Sequence, residues 1–376
     1  MIDMGQAGSE TRQRTGARGR VNAVRTPMAV LGDGRLVEKV TLANANGISA
    51  TVMTLGATLQ ALHVPDRDGV IDDIVLGHDT PDEYLAQVNY FGVTVGRYAN
   101  RIARGRFTLD GRDHQLETND GPHHLHGGLN GFDRKLWAIR SISEGDEASV
   151  ELELVSPDGE GGYPGTLRVT ARYTLDGQDQ LRIEYRATTD APTIVNLTNH
   201  ALFNLAGERA RGDVLKHRLT LHAARYTPVD PTLIPTGELA PVAGTAFDFA
   251  APRAIGEAIR DGNDAQIRIG RGYDHNFVVD GTSGTLRPAA RVEDPGSGRV
   301  MEMFVTAPGV QVYSGNFLDG TVAGKGGRLY RQSDGLALEP QCFPDSPNRP
   351  DFPSSRLDPD MEYVNTMLLR FSQAVR

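Results

Sequence analysis

From about residue 35 onward the chain is dominated by period-two alternation of apolar and polar residues. In "SVELELV" Val150, Leu152 and Leu154 alternate with Glu151 and Glu153. In "TLRVTARY" Leu167, Val169, Ala171 and Tyr173 alternate with Arg168, Thr170 and Arg172, and "LRIEYRA" repeats the pattern. Successive side chains of a strand point to opposite faces, so each run sets one face on a core and the other in water. Asp110-Gly111 and Asp176-Gly177 separate such runs and predict hairpin turns, because Asp and Gly tolerate positive φ. Helical periodicity is confined to "TPDEYLAQ" (80–87) and "PRAIGEAIR" (252–260). The expected fold is all-β: a large antiparallel β-sandwich, two sheets packed face to face, with a few short helices. A closed barrel or a propeller stays open, although no repeat of about 40–50 residues favours a propeller.

Composition refines this picture. The 376 residues include 43 glycines and 21 prolines, as many turns require, and 39% are apolar, enough for a substantial core. Residues 1–25 read as a disordered tail whose Arg12, Arg14, Arg18 and Arg20 are solvated; residues 26–376 read as one domain, loop-rich near 206–265. The start, "MIDMGQAGSETRQRTGARGR", has no apolar h-region of a signal peptide. No stretch approaches the roughly 20 apolar residues of a membrane span. The net charge of −9 argues against a nucleic-acid or anionic-membrane partner, which would want clustered Lys and Arg. Cys342 is the one cysteine, so no internal disulfide and no Cys/His zinc spacing exist. A reducing, cytoplasmic setting is the expectation.

Five segments carry polar groups that a plain strand would not. "VGRYANRIARGRF" crowds Arg97, Asn100, Arg101, Arg104 and Arg106 together. Arginine is a rigid fork of donors suited to sugar hydroxyls. Arg104 and Arg106 read as a solvated edge, whereas Asn100 and Arg101 fit a solvated edge or a binding site equally. "GPHHLHGG" offers His123, His124 and His126, but without a recognised metal-ligand spacing; the Gly127-Gly128 pair suggests close backbone approach to a ligand. "TIVNLTNH", read as a strand, puts Asn196, Thr198 and His200 on one face. A lone strand histidine is more often structural, yet Asn196 beside it favours a polar pocket. In "GYDHNFVVD" Asp274 and Asn276 share a face. In "GLALEPQCFPDSPNRPDFP" Glu339 ends an apolar strand, opposite in face to Leu336 and Leu338. A carboxylate there is costly to bury without purpose, so it reads as a general base or as the partner of an arginine. The Pro-rich loop after it is expected to wall a cleft.

These segments resemble the signatures of the aldose 1-epimerases. "GRYANRI", "LHGG…GFDRKLW", "NLTNHALFNLAG", "YDHNF", "PGVQVYSGNFLDG" and "LEPQCFPDSPNRPDFP" occur in the family's order, within a resemblance covering about residues 26–372. The resemblance implies a single-domain sandwich with a sugar cleft on one sheet, a monosaccharide substrate, and chemistry without metal or organic cofactor. It implies Glu339 as catalytic base and His200 as catalytic acid, with Asn100, Arg101, His126, Asp274 and Gln311 binding the sugar. Mutarotation opens and recloses a sugar ring, which demands a base and an acid acting on one bond. One departure stands out: two residues after the motif histidine the family often has an aromatic, and here it is Leu202. Two other readings stay open: a glycoside hydrolase using Glu339 and Asp274, and a non-catalytic sugar-binding protein on the same scaffold. The preferred sugar and a monomeric or dimeric state are not legible.

Overall fold

The computed structural model of the chain describes residues 20–210 and 212–374. Residues 1–19 of the expected tail, with Arg12, Arg14 and Arg18, lie outside the described residues. The tail's expected end at residue 25 is too late. Val21 is fully buried and bonded to the backbone of Gly145, and a strand runs from Asn22 to Val30.

The alternating runs form the largest sheet. Its nine strands follow the order Ala138–Ser143, Glu147–Ser156, Leu167–Asp176, Gln180–Thr189, Tyr363–Gln373, Arg299–Val305, Arg287–Glu293, Arg218–Leu221 and Arg253–Ala254. Every pair is antiparallel. The register sets apolar against apolar: Val150 lies opposite Tyr173, and Tyr173 opposite Ile183. All three are buried, each contributing roughly 1.5–3 kcal/mol by leaving water. The strand from Tyr363, near the end of the chain, sits in the middle of this sheet.

A six-stranded sheet carries the polar segments, in the order Leu202–Phe203, Leu336–Gln341, Gly309–Tyr313, Asp274–Val278, Arg225–Tyr226 and Ala240–Pro241. On one face Phe277, Val310, Val312, Leu336 and Leu338 join the main hydrophobic cluster. On the other, Glu339 lies opposite Gln311, and Gln311 opposite Asn276; one row along, Tyr313 lies between Asp274 and Ala337. A third sheet, the meander of Asn22–Val30, Leu36–Ala43, Ser49–Met53, Thr58–Pro65 and Ile71–Asp73, adds Val40, Leu42 and Val52 to the same cluster. The sandwich is therefore built from three principal sheets where two were expected.

The turns and helices follow local chemistry. Asp110 (φ 50°) and Gly111 (φ 73°) make a two-residue hairpin turn of positive φ. At the other pair the side chain of Asp176 accepts the amides of Gln178 and Gln180, and Asp179 supplies the positive φ. The expected helix at 80–87 is Pro81–Ala86, capped by Thr80 and Glu83 in a reciprocal box. The expected helix at 252–260 is not there. Ile255 and Gly256 give their amides to the carbonyls of His217 and Leu215, so the segment pairs with its neighbour and keeps only the single turn Ile255–Glu257. The second α-helix is Ala265–Gly270, capped by Asp264. No helix among the described residues is long and apolar enough to cross a membrane.

Candidate active site

The segment 193–203 is not one strand. It zigzags through short pairings: Thr193–Ile194 with Arg356–Leu357, Thr198–Asn199 with Thr94–Val95, and Leu202–Phe203 with Leu336–Ala337. Its asparagines make this possible by bonding neighbouring backbone. Asn196 donates to Ala99 O (3.1 Å) and accepts Cys342 N (2.8 Å), tying this segment to the chain just beyond Glu339. Asn199 donates to Gly92 O (2.7 Å) and accepts Ala201 N (3.1 Å). Immediately after them His200 gives its amide to Val93 O and accepts the amide of Gly92. His200 thus arrives beside Glu339, its Nε2 3.6 Å from Oε1.

A cavity of about 490 Å³ opens over this pair. Asn100, Arg101, His126, His200, Asp274 and Glu339 all line it. Gln311 does not border the cavity; it stands behind Asp274 and donates to Asp274 Oδ1 at 2.7 Å. Arg101 is held at one end by Asp120 (Nε to Oδ2, 2.7 Å), and the described residues hold no partner for its other two nitrogens. Asn100 (φ 65°) turns the chain so that its amide meets His126 Nδ1 at 3.1 Å and its side chain accepts Arg101 N at 2.8 Å. A backbone amide can only donate. His126 Nδ1 therefore accepts, and the ring proton sits on Nε2.

The histidine cluster divides by role. His124 is fully buried against Glu117 O and the Tyr163 hydroxyl, and His123 Nδ1 accepts the amide of Arg104. Arg97 is structural, its guanidinium bonded to Ser156, Pro157, Pro164 and Gly165. Arg104 and Arg106 are exposed, as expected. Two expectations fail. Gly127 approaches the protein's own backbone, not a ligand: a Cβ there would fall 1.8 Å from Gly96 O. The Pro-rich loop does not border the cavity either; Asp345 accepts Ala103 N and gives its own amide to Arg101 O, bracing the arginine segment from behind.

Burial pushes the Glu339 carboxyl well above its ordinary range, nearby Asp274 adds to the rise, and Arg101 opposes it. Burial pushes the His200 imidazole down to about 4. Both shifts favour the neutral form of each group. Burial also raises Asp274, against the pull of Arg101, and holds His126 well below the usual imidazole range.

His126, His200 and Glu339 each bring a possible ligand atom within 4.8 Å of the others. The chemistry of the set does not suit a cation. His126 Nδ1 is taken by the amide of Asn100 and Nε2 then carries the proton, so neither nitrogen offers a free lone pair. The residues fit a proton-transfer site in which His126 donates.

The sequence reading missed several wall residues. Tyr90, Tyr313, Phe317, Asp120 and Leu233 all line the cavity. Tyr313 was within reach, since it shares its face with Gln311 in "GVQVY". Tyr90 (φ 56°) and Leu233 (φ 65°) sit in loops at positive φ, where alternation says nothing. Leu202 lines the cavity without an aromatic ring; the rings there are Tyr90 and the stacked pair Tyr313–Phe317, 6.1 Å apart.

Comparison with known proteins finds matches over most of the chain. The family model for aldose 1-epimerase matches residues 38–370. The chain is 47% identical to a galactose mutarotase of Bos taurus, covering 92% of this chain and 98% of that protein. It is 40% identical to an aldose 1-epimerase of Escherichia coli K12, covering 91% and 97%. A solved galactose 1-epimerase from Lactobacillus acidophilus superposes with a TM-score of 0.82 at 32% identity, covering 94% of this chain and 99% of that one.

Proposed function

The chain belongs to the aldose 1-epimerase family, and from that premise we infer how its cavity interconverts the α and β anomers of free aldoses. The protein is an isomerase. The observation that carries the mechanism is the approach of His200 Nε2 to Glu339 Oε1 on the wall of one sugar-sized cavity. Two groups so close can reach the two oxygens bonded to one anomeric carbon.

The reacting form places the pair's single proton on His200, with Glu339 ionised in the field of Arg101. Glu339 takes the proton of the C1 hydroxyl as His200 gives one to the ring oxygen. The bond between C1 and the ring oxygen breaks and the open aldehyde forms. After rotation about C1–C2 the ring hydroxyl adds to the other face of the carbonyl. His200 recovers its proton and Glu339 returns its own to O1, so no proton is gained or lost. Arg101 and the Nε2–H of His126 donate to sugar oxygens. Asp274, steadied by Gln311, accepts from a hydroxyl farther round the ring. Each proton-transfer group contributes about 10²–10⁴-fold, ample for a reaction that water already performs slowly.

Fresh α-D-glucose and α-D-galactose test this reading. The protein is expected to accelerate their polarimetric relaxation and to release nothing from an aryl galactoside. Hydrolysis of the aryl glycoside, or sugar binding without faster anomer exchange, would contradict it.

A further inference from the structure

A histidine that gives a proton through one ring nitrogen is normally oriented by a hydrogen bond at the other. His200 has no such bond: its Nδ1 is buried and has no hydrogen-bond partner on another residue. What surrounds the imidazole instead is rings. Tyr90 lies 5.7 Å from it at 44°, His126 lies 5.2 Å away at 88°, and Tyr313 is farther off at 6.3 Å. Tyr90 also packs on His126, 4.7 Å between centroids, so one phenol ring contacts both His126 and His200.

The backbone beneath Tyr90 is fixed to the same site. Two residues on, Gly92 gives its amide to His200 O and its carbonyl receives the side chain of Asn199; Val93 O accepts the amide of His200. Tyr90 itself is held at φ 56°, a conformation that suits glycine and is strained for an aromatic residue. A strained aromatic residue on the wall of the cavity points to a role for its side chain.

We propose that Tyr90 is the positioning residue of the acid, its ring holding the His200 imidazole at the angle that turns Nε2 toward Glu339. The proposal rests on the proton-transfer roles given above. The ring does the work, not the hydroxyl: the described residues hold no hydrogen-bond partner for the Tyr90 oxygen, which faces the electrostatic influence of Asp120 and Arg101 on the cavity wall and of Asp133.

Three variants test it: Tyr90→Gly, Tyr90→Leu and Tyr90→Phe. Glycine relieves the strained φ, so Y90G retains a cooperative fold. Misdirecting a reacting group is expected to lower kcat by about 10-fold or more in Y90G and Y90L, with KM altered by less than about threefold, while Y90F recovers to within about threefold of wild type. The imidazole NMR resonances of His200, assigned by loss in H200N, are expected to move in Y90G and Y90L and to stay near wild type in Y90F. Wild-type anomer exchange judges the function itself; the resonances judge Tyr90 with no sugar present. Wild-type kcat in a folded Y90G or Y90L, or His200 resonances that do not move in them, overturns the proposal.

Discussion

Glu339 and His200 are unremarkable residue types made reactive by where they sit. Burial without a bonded cation lifts the glutamate and depresses the histidine, whose Nε2 stands 3.6 Å from the carboxylate. Two such groups titrate as a unit. The working form holds one proton, and the pH profile of kcat/KM follows from its loss or doubling. On the acid side a second proton reaches His200 only near its depressed value of about 4, so activity falls there and not near the ordinary imidazole range. On the alkaline side the single proton leaves a carboxyl whose titration lies above the usual carboxylate range. An acid limb centred on the ordinary imidazole value would show that His200 is not desolvated in the free enzyme. Glu339 stood out in the sequence because a charged residue ends a short apolar run just before a proline. Tyr90 did not, because its importance arises from a strained loop conformation and from rings contributed by distant segments.

At the scale of elements, period-two alternation located the long strands well, since it reflects which face is wet. It could not tell that 193–203 is a chain of short bridges, because Asn196, Asn199 and their backbone partners belong to different parts of the fold. Nor could it tell a glycine that meets a ligand from one that meets its own backbone. Gly127 and Gly111 make the contrast measurable. Both have positive φ, but a Cβ at Gly111 meets nothing within 4 Å, whereas at Gly127 it would fall 1.8 Å from Gly96 O. Gly111→Ala is expected to cost about 1 kcal/mol from backbone strain alone. Gly127→Ala is expected to cost at least about 3 kcal/mol, because backbone must move as well. Urea midpoints compare the two, and equal costs would mean that the 127 contact is not tight in solution. Gly127 follows His126, so the same substitution is expected to impair turnover through the misplaced imidazole.

On the scale of the whole molecule, the sandwich brings a loop-borne imidazole and a strand-borne carboxylate, far apart in the chain, to one cavity. The pairing of Leu202 with Ala337 places His200 beside Glu339, and the bonds of Asn196 to the backbone of Cys342 lock that approach. If the two groups move protons in opposite directions on one sugar, they act as a unit, and losing either disables both. Anomer-exchange rates of E339Q, H200N and the double variant measure this directly. Each single substitution is expected to cut kcat by at least about 100-fold without unfolding the protein, and the double variant to fall little below the worse single. Near-wild-type turnover in either folded single variant, or losses that multiply in the double, would contradict the account.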